Sequence, residues 1–328
     1  MIIPIVGASA LEFWLSGVSA FPPNQFSTQN RKLVSLPEEY RIPYSQEIYR
    51  DISAKYHLSL PIHVMAKQYS GRKKGGSKYV CLQPQKMPEK SFIQIDKGIF
   101  ISSPELCIFQ MAKIFPLSKL VETVNILCAD YSLDRNAIYG QKKRQSIATV
   151  DDIQSFIKRA KGLSGIKKTR QATSYAVNHA FSPMESKLAA LSALPFSLGG
   201  YGLPKPELNR EIELTNDAES MIGRHSCSCD LVWIKQKVIV EYDSNLSHLT
   251  PGQHAYDKRK YNALNMSGYH VFSITAENMK SFKDIEATFL NLRKLLGLRP
   301  QTSTLAQYES MRRNAVHAII FDSWDKYL

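Results

Sequence analysis

The second half of the chain alternates short apolar runs with longer amphipathic stretches, a pattern typical of strands and helices that pack together. Three runs rich in β-branched and aromatic residues predict successive strands: NREIELT from Asn209, SCSCDLVWI from Ser226 and KVIVEYD from Lys237. A helix is predicted before these strands, because Ser182-Pro183 provides a helix start and KLAALSAL follows as far as Pro195.

Beyond the third strand, the pattern changes to helical periodicity and then back to the periodicity of a strand. GQHAYDKRKYNALNMSG predicts a helix ended by Gly268, YHVFSIT predicts a fourth strand, and residues from about Ser281 to Leu296 predict another helix. The resulting order, α-β-β-β-α-β-α, predicts a mixed α/β unit in which a helical crossover precedes the last strand.

The first half of the chain is predicted to be an α+β region. The strand-like runs PIHVMA and YVCLQ flank the glycine-rich turn SGRKKGGSK. Two helices are predicted further on. One opens at Ser103-Pro104-Glu105, and the other is ATVDDIQSFIKRA, whose Ile153, Phe156 and Ile157 form an apolar face.

A length of 328 residues predicts two domains with a tail. We place an N-terminal basic α+β domain at 1–170, a mixed α/β domain at 171–300 and a C-terminal helical tail at 301–328. The composition, with 44% hydrophobic and 10% aromatic residues, is that of a folded globular protein and excludes wholesale disorder.

The charge balance is strongly basic. The chain has 42 Lys and Arg against 29 Asp and Glu, a formal net charge of +13. This excess favours a polyanionic partner, because each neutralised phosphate releases counterions. The basic side chains that we assign to a phosphate-contacting surface in the first half are Arg72, Lys73, Lys74, Lys142, Lys143 and Arg144. Solvated loops are the alternative interpretation of the same clusters.

Neither a membrane span nor a disulfide framework is predicted. No apolar run approaches 18 residues, and Glu12 interrupts the apolar N-terminal stretch, so we expect folded protein there and no membrane partner. Five scattered cysteines are typical of a reducing, cytoplasmic compartment. In HSCSCD, the strand positions of His225, Cys227 and Cys229 splay too widely for one zinc ion, so both cysteines are predicted to be buried strand residues.

The strands SCSCDLVWI and KVIVEYD predict an acidic hairpin. If Lys235-Gln236 forms a two-residue turn, Ile234 pairs with Lys237, and the same register brings Asp230 opposite Glu241. Directly opposed residues share one face of the sheet, with Cβ atoms about 5 Å apart.

Alternation along the strands adds Asp243 to the face of Glu241 and turns Cys229 and Leu231 away from it. Clustered carboxylates are costly unless a cation neutralises them or one of them takes up a proton. Oxygen ligands suit Mg²⁺ or Mn²⁺, and such an ion can polarise a phosphodiester and lower the pKa of an attacking water. Ordinary acidic residues on a solvent-facing strand pair are the alternative.

The segment from Asp230 to Gly268 resembles the very-short-patch-repair-like (Vsr-like) endonuclease family of the PD-(D/E)XK superfamily. The signature is an Asp on one strand, an apolar strand ending in Glu-x-Asp, a nearby His, and a helix with Asp-x-x-Arg and Leu before Gly-Tyr. These elements fall on Asp230, Glu241-Tyr242-Asp243, His248, Asp257-Lys258-Arg259-Lys260, Leu264 and Gly268-Tyr269. The resemblance covers about residues 180–297 and implies a restriction-endonuclease-like mixed sheet flanked by helices.

The chain departs from the family pattern at two positions. Asp243 stands where the superfamily has its motif lysine, as is usual in this subgroup, and Ser244 replaces the glycine of the family. The resemblance implies that Asp230 and Glu241 are the primary metal ligands and that Asp243 is a further ligand or orients a water.

Other site residues follow from the same resemblance. His248 would be a general acid/base, with His254 as a weaker second candidate. Lys258 or Arg259 would stabilise charge on the phosphate, and a surface network with Asp257 is the alternative. Glu185 matches an acidic first helix before the domain, although Ser182 and Glu185 also form a capping box, so both a metal-site role and a capping role remain open.

The N-terminal half resembles, more loosely, the regions that accompany this domain in bacterial proteins related to abortive-infection antitoxins, through SALEFW near Ser9, ISSPEL near Ile101 and the approach to AFSPMES. The leading hypothesis is a Mg²⁺-dependent DNA endonuclease that uses a metal-activated water in defence against foreign DNA or in DNA repair. The alternatives are a DNA-binding regulator of toxin–antitoxin type with a non-catalytic nuclease-like domain, and RNA as the substrate.

Overall fold

The chain divides into two compact units. The computed structural model describes residues 1–16, 18, 21–22, 24–67, 74–82, 87–134, 137, 140–243, 251–299 and 307–321. One unit spans Met1–Ser174 and the other begins at Tyr175. The division therefore falls a few residues after the boundary expected at 170.

The first unit contains a seven-stranded mixed sheet with the strand order β2-β6-β7-β1-β3-β5-β4. Its strands are β1 (Ile3–Ile5), β2 (Leu33–Val34), β3 (Ile62–Ala66), β4 (Lys74–Gly75), β5 (Lys78–Leu82), β6 (Phe92–Asp96) and β7 (Ile99–Ser102). A separate antiparallel pair consists of β8 (Tyr131–Leu133) and β9 (Gln141–Lys143). The helices are α1 (Gly7–Leu15), α2 (Gln46–Tyr56), α3 (Pro104–Met111), α4 (Leu117–Leu127), α5 (Val150–Arg159) and α6 (Ile166–Tyr175).

The elements predicted in the first half are present. PIHVMA and YVCLQ form β3 and β5, which pair in parallel. Helix α3 begins after Ser103, whose Oγ accepts a hydrogen bond from the Leu106 N–H at 3.3 Å. Helix α5 buries the predicted face of Ile153, Phe156 and Ile157. The apolar N-terminal stretch forms β1 and α1, both of which are largely buried, so this stretch is part of the folded core.

The second unit contains a four-stranded sheet with the order β10-β11-β12-β13. Its strands are β10 (Glu207–Glu213), β11 (Ser226–Trp233), β12 (Val238–Asp243) and β13 (His270–Thr275). Its helices are α7 (Pro183–Ala193), α8 (Asn216–Ile222), α9 (Pro251–Met266), α10 (Phe282–Leu295) and α11 (Glu309–Val316). The first three strands are antiparallel, whereas β12 and β13 are parallel and are separated in sequence by α9. The unit is therefore mixed α/β, as predicted.

Helix α8 is absent from the predicted order and lies between β10 and β11. Its sequence, NDAESMI, is short and polar, and only Ala218 is fully buried. The helix ends at Gly223, whose positive φ of 69° is a conformation that glycine adopts readily. It packs against α9, so tertiary contact stabilises a segment too short to be recognised from periodicity.

The β11–β12 hairpin has the predicted register but a different turn. Leu231 pairs with Val240 and Trp233 with Val238, and continuing this register by one residue brings Asp230 opposite Glu241. Residues Ile234–Gln236 form a 3₁₀ turn, and Lys237 adopts a left-handed conformation with φ 53°. The Lys237 N–H donates to the Ile234 carbonyl at 3.1 Å and closes the turn.

The C-terminal helix α11 belongs to the second unit and is not a separate tail. The Arg312 guanidinium lies 2.6 Å from the Glu286 carboxylate on α10, and Val316 is fully buried. All five cysteines are free thiols, and Cys227 and Cys229 are buried, as predicted. No helix among the described residues is both long enough and apolar enough to cross a membrane.

Candidate functional site

Asp230 and Glu241 meet where β11 and β12 leave the buried part of the hairpin. Asp230 Oδ2 accepts a hydrogen bond of 2.8 Å from the backbone N–H of Tyr242, the residue after Glu241. The two carboxylates are close together. Burial raises the pKa of Glu241, and the nearby charge of Asp230 raises it further. The hairpin therefore brings together the two acidic side chains that the sequence pattern predicts to be neighbours.

Lys260 on α9 completes this pair. Its Nζ lies 2.8 Å from Glu241 Oε1, and the side chains of Lys260 and Glu241 are only 19% and 17% exposed. Helix α9 places Lys260 here because Leu264, one turn further along the same face, is fully buried against Ile239 and Val271 of the sheet. Burial lowers the pKa of Lys260, but attraction to Glu241 outweighs that effect and leaves the pKa raised overall.

Glu185, in the first turn of α7, is the third acidic side chain near this point. It is 5% exposed, and its Oε2 accepts hydrogen bonds from the Phe181 N–H at 2.8 Å and from Asn209 Nδ2 at 2.7 Å. Its own N–H donates to Ser182 Oγ. Glu185 therefore caps α7 and also lies near Asp230. Burial and the charge of Asp230 together raise the pKa of Glu185 to about 7.

Asp243 makes a contact that the hairpin pattern does not predict. Its carboxylate accepts a hydrogen bond from the Ser273 hydroxyl on the neighbouring strand β13. It is still near enough for its charge to raise the pKa of Asp230, although burial is the larger cause. Asp243 therefore lies at the edge of the carboxylate cluster and is tied to β13, a partner that the hairpin pattern alone does not reveal.

The prediction that Cys229 points away from Glu241 is wrong. Cys229, Val232 and Ile239 belong to one buried apolar cluster, so strict alternation along β11 is broken between Cys229 and Val232. The neighbouring strand shows the same interruption, because Asn209 on β10 has a left-handed φ of 51° where it passes Asp230. This irregularity frees Asn209 to hold Glu185 and places Asp230 between Glu185 and Glu241.

The electrostatics of the cluster favour a bound cation. Glu185, Asp230 and Glu241 are neighbouring carboxylates, and Lys260 is paired with Glu241, so the group of four carries an excess of two negative charges when all are ionised. Burial, and next the charge of Asp230, raise the pKa of Glu241 to about 7, and Lys260 only partly opposes them. Glu241 Oε1 contacts Lys260 as an ion pair but accepts no well-aligned hydrogen bond among the described residues.

The donor set fits Mg²⁺ or Mn²⁺, since both prefer oxygen ligands and Mg²⁺ often binds through one or two carboxylates plus waters. Asp230 and Glu241 are the residues placed to hold such an ion. Three metal-ligating side chains do not converge on one point anywhere in the described part of the chain. The arrangement of Asp230, Glu241 and Asp243 around one ion therefore stays a prediction, and Glu185 is an additional acid beside Asp230.

The other predicted site residues lie elsewhere or outside the described ranges. Lys258 and Arg259 are exposed, and Arg259 Nε donates to the backbone carbonyl of Ala255, one turn earlier in α9. The position near the acids belongs instead to Lys260, a residue to which the sequence pattern assigns no role. The buried Leu264 one turn later is the signal that identifies it. His248 and Ser244, and the side chain of His254, lie outside the described residues.

The basic clusters of the first unit are of two kinds. The Arg144 guanidinium is an interior group that donates to the carbonyls of Trp14 at 2.9 Å and Ile126 at 3.0 Å, and burial lowers its pKa to about 10. The prediction that Arg144 contacts phosphate is therefore wrong, because both terminal nitrogens of its guanidinium donate to backbone carbonyls within the first unit. Lys143 is exposed, and Lys142 is exposed but ion-paired with Asp134 at 2.5 Å.

Of the remaining cluster, Arg72 and Lys73 lie outside the described residues, as does the side chain of Lys74.

Comparison of the chain with protein-family models, with curated proteins and with solved structures finds no match.

Proposed function

We propose that the second unit is a metal-dependent nuclease domain of restriction-endonuclease-like type and that its substrate is DNA. The observation that carries this proposal is the half-buried Glu241–Lys260 pair beside Asp230 and Glu185, at the open end of the β11–β12 hairpin. The order α7-β10-β11-β12-α9-β13 supports it, because it contains the elements that the family resemblance implies, with α8 as an addition.

A site with excess negative charge repels a phosphodiester, so the acids are hard to explain as a surface for binding DNA by themselves. A divalent cation held by Asp230 and Glu241 supplies, when bound, Lewis-acid polarisation of the phosphate and a lowered pKa for an attacking water. Lys260 holds the Glu241 carboxylate in position and brings a positive charge to the place where negative charge develops on the phosphate. Glu185, with a pKa of about 7, can accept a proton near neutrality.

In this arrangement Lys260 takes the place of the motif lysine that Asp243 does not provide. A lysine two residues after Glu241 on β12 would approach from the strand, whereas Lys260 approaches from α9. Helix α9 is anchored by the fully buried Ala263 and Leu264, so the ammonium is held by packing as well as by its ion pair. The net charge of +13 supports a polyanionic substrate.

The test is incubation of the full chain with supercoiled plasmid in the presence and absence of Mg²⁺ or Mn²⁺, beside Glu241→Gln. The matched control is Glu207→Gln, since Glu207 is an exposed acid on β10 that makes a long ion pair of 3.6 Å with Arg210. We expect nicking that requires the metal, is lost in Glu241→Gln and is retained in Glu207→Gln. Added Mg²⁺ should also raise the melting temperature of the wild type and the control but not of Glu241→Gln.

Nicking that survives Glu241→Gln would overturn the proposed site. Metal-dependent cleavage of single-stranded RNA but not of plasmid would replace DNA by RNA as the substrate. Binding of DNA without cleavage under every metal would favour the alternative function, a DNA-binding regulator with a non-catalytic nuclease-like domain.

A further inference from the structure

An exposed arginine lies on the same side of α9 as Lys260. Arg224 follows α8 and stacks on Tyr256, with its guanidinium carbon 5.3 Å from the ring centre. Tyr256, Lys260 and Leu264 follow one another at intervals of four residues, so they share one face of α9. Along this face, Leu264 is in the core, Lys260 is at the carboxylates, and Tyr256 with Arg224 is one turn further out.

The backbone around Arg224 is fixed on both sides. The Gly223 N–H donates to the Glu219 carbonyl at 2.7 Å and ends α8. On the other side, the His225 carbonyl accepts a hydrogen bond from the Leu214 N–H at 2.9 Å, and His225 Nδ1 lies 2.7 Å from the Glu219 carboxylate. Arg224 is thus presented from a fixed loop, and its side chain rests on an aromatic ring that limits its conformational freedom.

The charge of Arg224 has no acidic partner in the part of the chain that the structure describes. Among the described residues, no carboxylate lies within ion-pair distance of its guanidinium, and the nearby Glu219 is occupied by His225. Asp217 lies in the first turn of α8, and the rise along the helix axis separates it from Arg224 by about 10 Å. A planar, exposed guanidinium that is held in place and lacks a counter-ion is suited to bidentate contact with a phosphate.

This inference rests on the proposed function. We propose that Arg224, supported by Tyr256, binds a backbone phosphate of the nucleic acid, and that this phosphate is close to another phosphate of the same strand that reaches Lys260. Side chains one helical turn apart have Cβ atoms about 5–6 Å apart. Phosphates of one strand succeed one another at about 3.4 Å of helix rise. The two sites are therefore spaced for phosphates a few nucleotides apart at most. The contact is to the backbone, so it positions the strand and does not read its sequence.

The experiment measures binding of a labelled DNA duplex to the full chain in EDTA, over a series of salt concentrations, for the wild type and Arg224→Ala. The matched control is Arg313→Ala. Arg313 is also exposed and stacked, 4.3 Å from the Phe282 ring, but its charge is paired with Glu309 at 2.7 Å. We expect Arg224→Ala to weaken binding about tenfold and to reduce the dependence of log K on log salt by about one. Arg313→Ala should change neither quantity.

A second pair of variants separates stacking from charge. Tyr256→Phe keeps the ring and should bind like the wild type, whereas Tyr256→Ala removes the support of Arg224 and should weaken binding. With metal present, Arg224→Ala should raise KM for plasmid while leaving kcat near that of the wild type, because its phosphate is not the one cleaved.

An unchanged salt dependence in Arg224→Ala, with affinity equal to that of Arg313→Ala, would overturn the inference while leaving the nuclease proposal intact. Failure of the wild type to bind DNA with Mg²⁺ present as well as in EDTA would overturn both. Binding of DNA by the wild type with the expected loss in Arg224→Ala, but without metal-dependent cleavage, would overturn the nuclease proposal alone.

Discussion

The Nζ of Lys260 lies 2.8 Å from Oε1 of Glu241, and this contact joins a crossover helix to the strand that precedes it. Each of the two side chains depends on the other to balance its charge. Without Lys260, Glu241 would be a partly buried carboxylate next to Asp230. Without Glu241, Lys260 would be a partly buried ammonium that burial disfavours.

This coupling predicts a non-additive loss of stability. Lys260→Met should lower the free energy of unfolding at pH 8 by about 1–3 kcal/mol, because it leaves the half-buried Glu241 charge without its partner. Glu241→Gln should not lower it by as much, because burial and the charge of Asp230 already disfavour the ionised Glu241, whose pKa is raised to about 7. Lys260→Met should cost less in the Glu241→Gln background than in the wild type, since the charge that it would leave unpaired is then absent. Urea unfolding of the four proteins in EDTA measures the interaction. Strict additivity would show that the two charges do not stabilise each other.

Lys260→Met should also lose activity in the metal-dependent nicking assay. We expect a decrease in kcat of about 100-fold, the magnitude typical of removing one group that stabilises transition-state charge. Lys258→Met is the matched control, because Lys258 is exposed two positions away on the same helix. Equal losses in the two variants would show that Lys260 has no special position.

The raised pKa of Glu185 predicts a stability that depends on pH. Its pKa is about 7 in the folded protein, above the ordinary value of 4.5, because it is buried and lies near Asp230. Above pH 7 the folded state must hold a buried charge that the unfolded chain hydrates freely. Glu185 therefore contributes least favourably at high pH, and this cost disappears as the pH falls from 7 to 4.5.

Glu185→Gln removes the charge but keeps an oxygen for the Phe181 N–H and Asn209. In EDTA at pH 8 it should be about 2–3 kcal/mol more stable than the wild type, and the difference should vanish near pH 4.5. Thermal or urea unfolding across this pH range measures it, with the exposed Glu207→Gln as control. A stability difference that stays constant with pH would contradict the assignment of the raised pKa to Glu185.

Arg144 gives a prediction of the opposite kind, in which a basic residue matters for the fold and not for DNA. Arg144→Met should destabilise the first unit by about 2–4 kcal/mol, because the Trp14 and Ile126 carbonyls lose a charged donor inside the core. Affinity of the folded variant for DNA should be unchanged. Lys143→Ala, one residue earlier and exposed, should not change the melting temperature. An Arg144→Met protein of wild-type stability with weaker DNA binding would restore the original phosphate-contact interpretation.

The strands around the site could be predicted from sequence because their pattern has only one register. Apolar residues on both arms of the hairpin and a short turn bring Asp230 opposite Glu241 without further information. The identity of the lysine could not be predicted in the same way. Three successive basic residues, Lys258, Arg259 and Lys260, occupy three directions around a helix, and the choice among them depends on which face of α9 is buried.

Burial also explains the other differences. The run Lys142-Lys143-Arg144 has uniform charge, yet only the structure shows that the last of the three turns into the core. The displaced alternation at Asp230 has the same origin. Packing of Cys229 and Val232 into one cluster overrides the regular alternation of side chains along β11. The residue types in β11 do not predict this break in alternation.

The turn at Lys237 constrains the register of this hairpin. Because side chains alternate between the two faces of a strand, a slip of β12 by one position against its neighbours would turn Glu241 away from Lys260 and toward the opposite face. A slip by two positions would restore its direction but move it along the strand. The closed turn at Ile234–Gln236 therefore helps to fix the site, although it is remote from the chemistry.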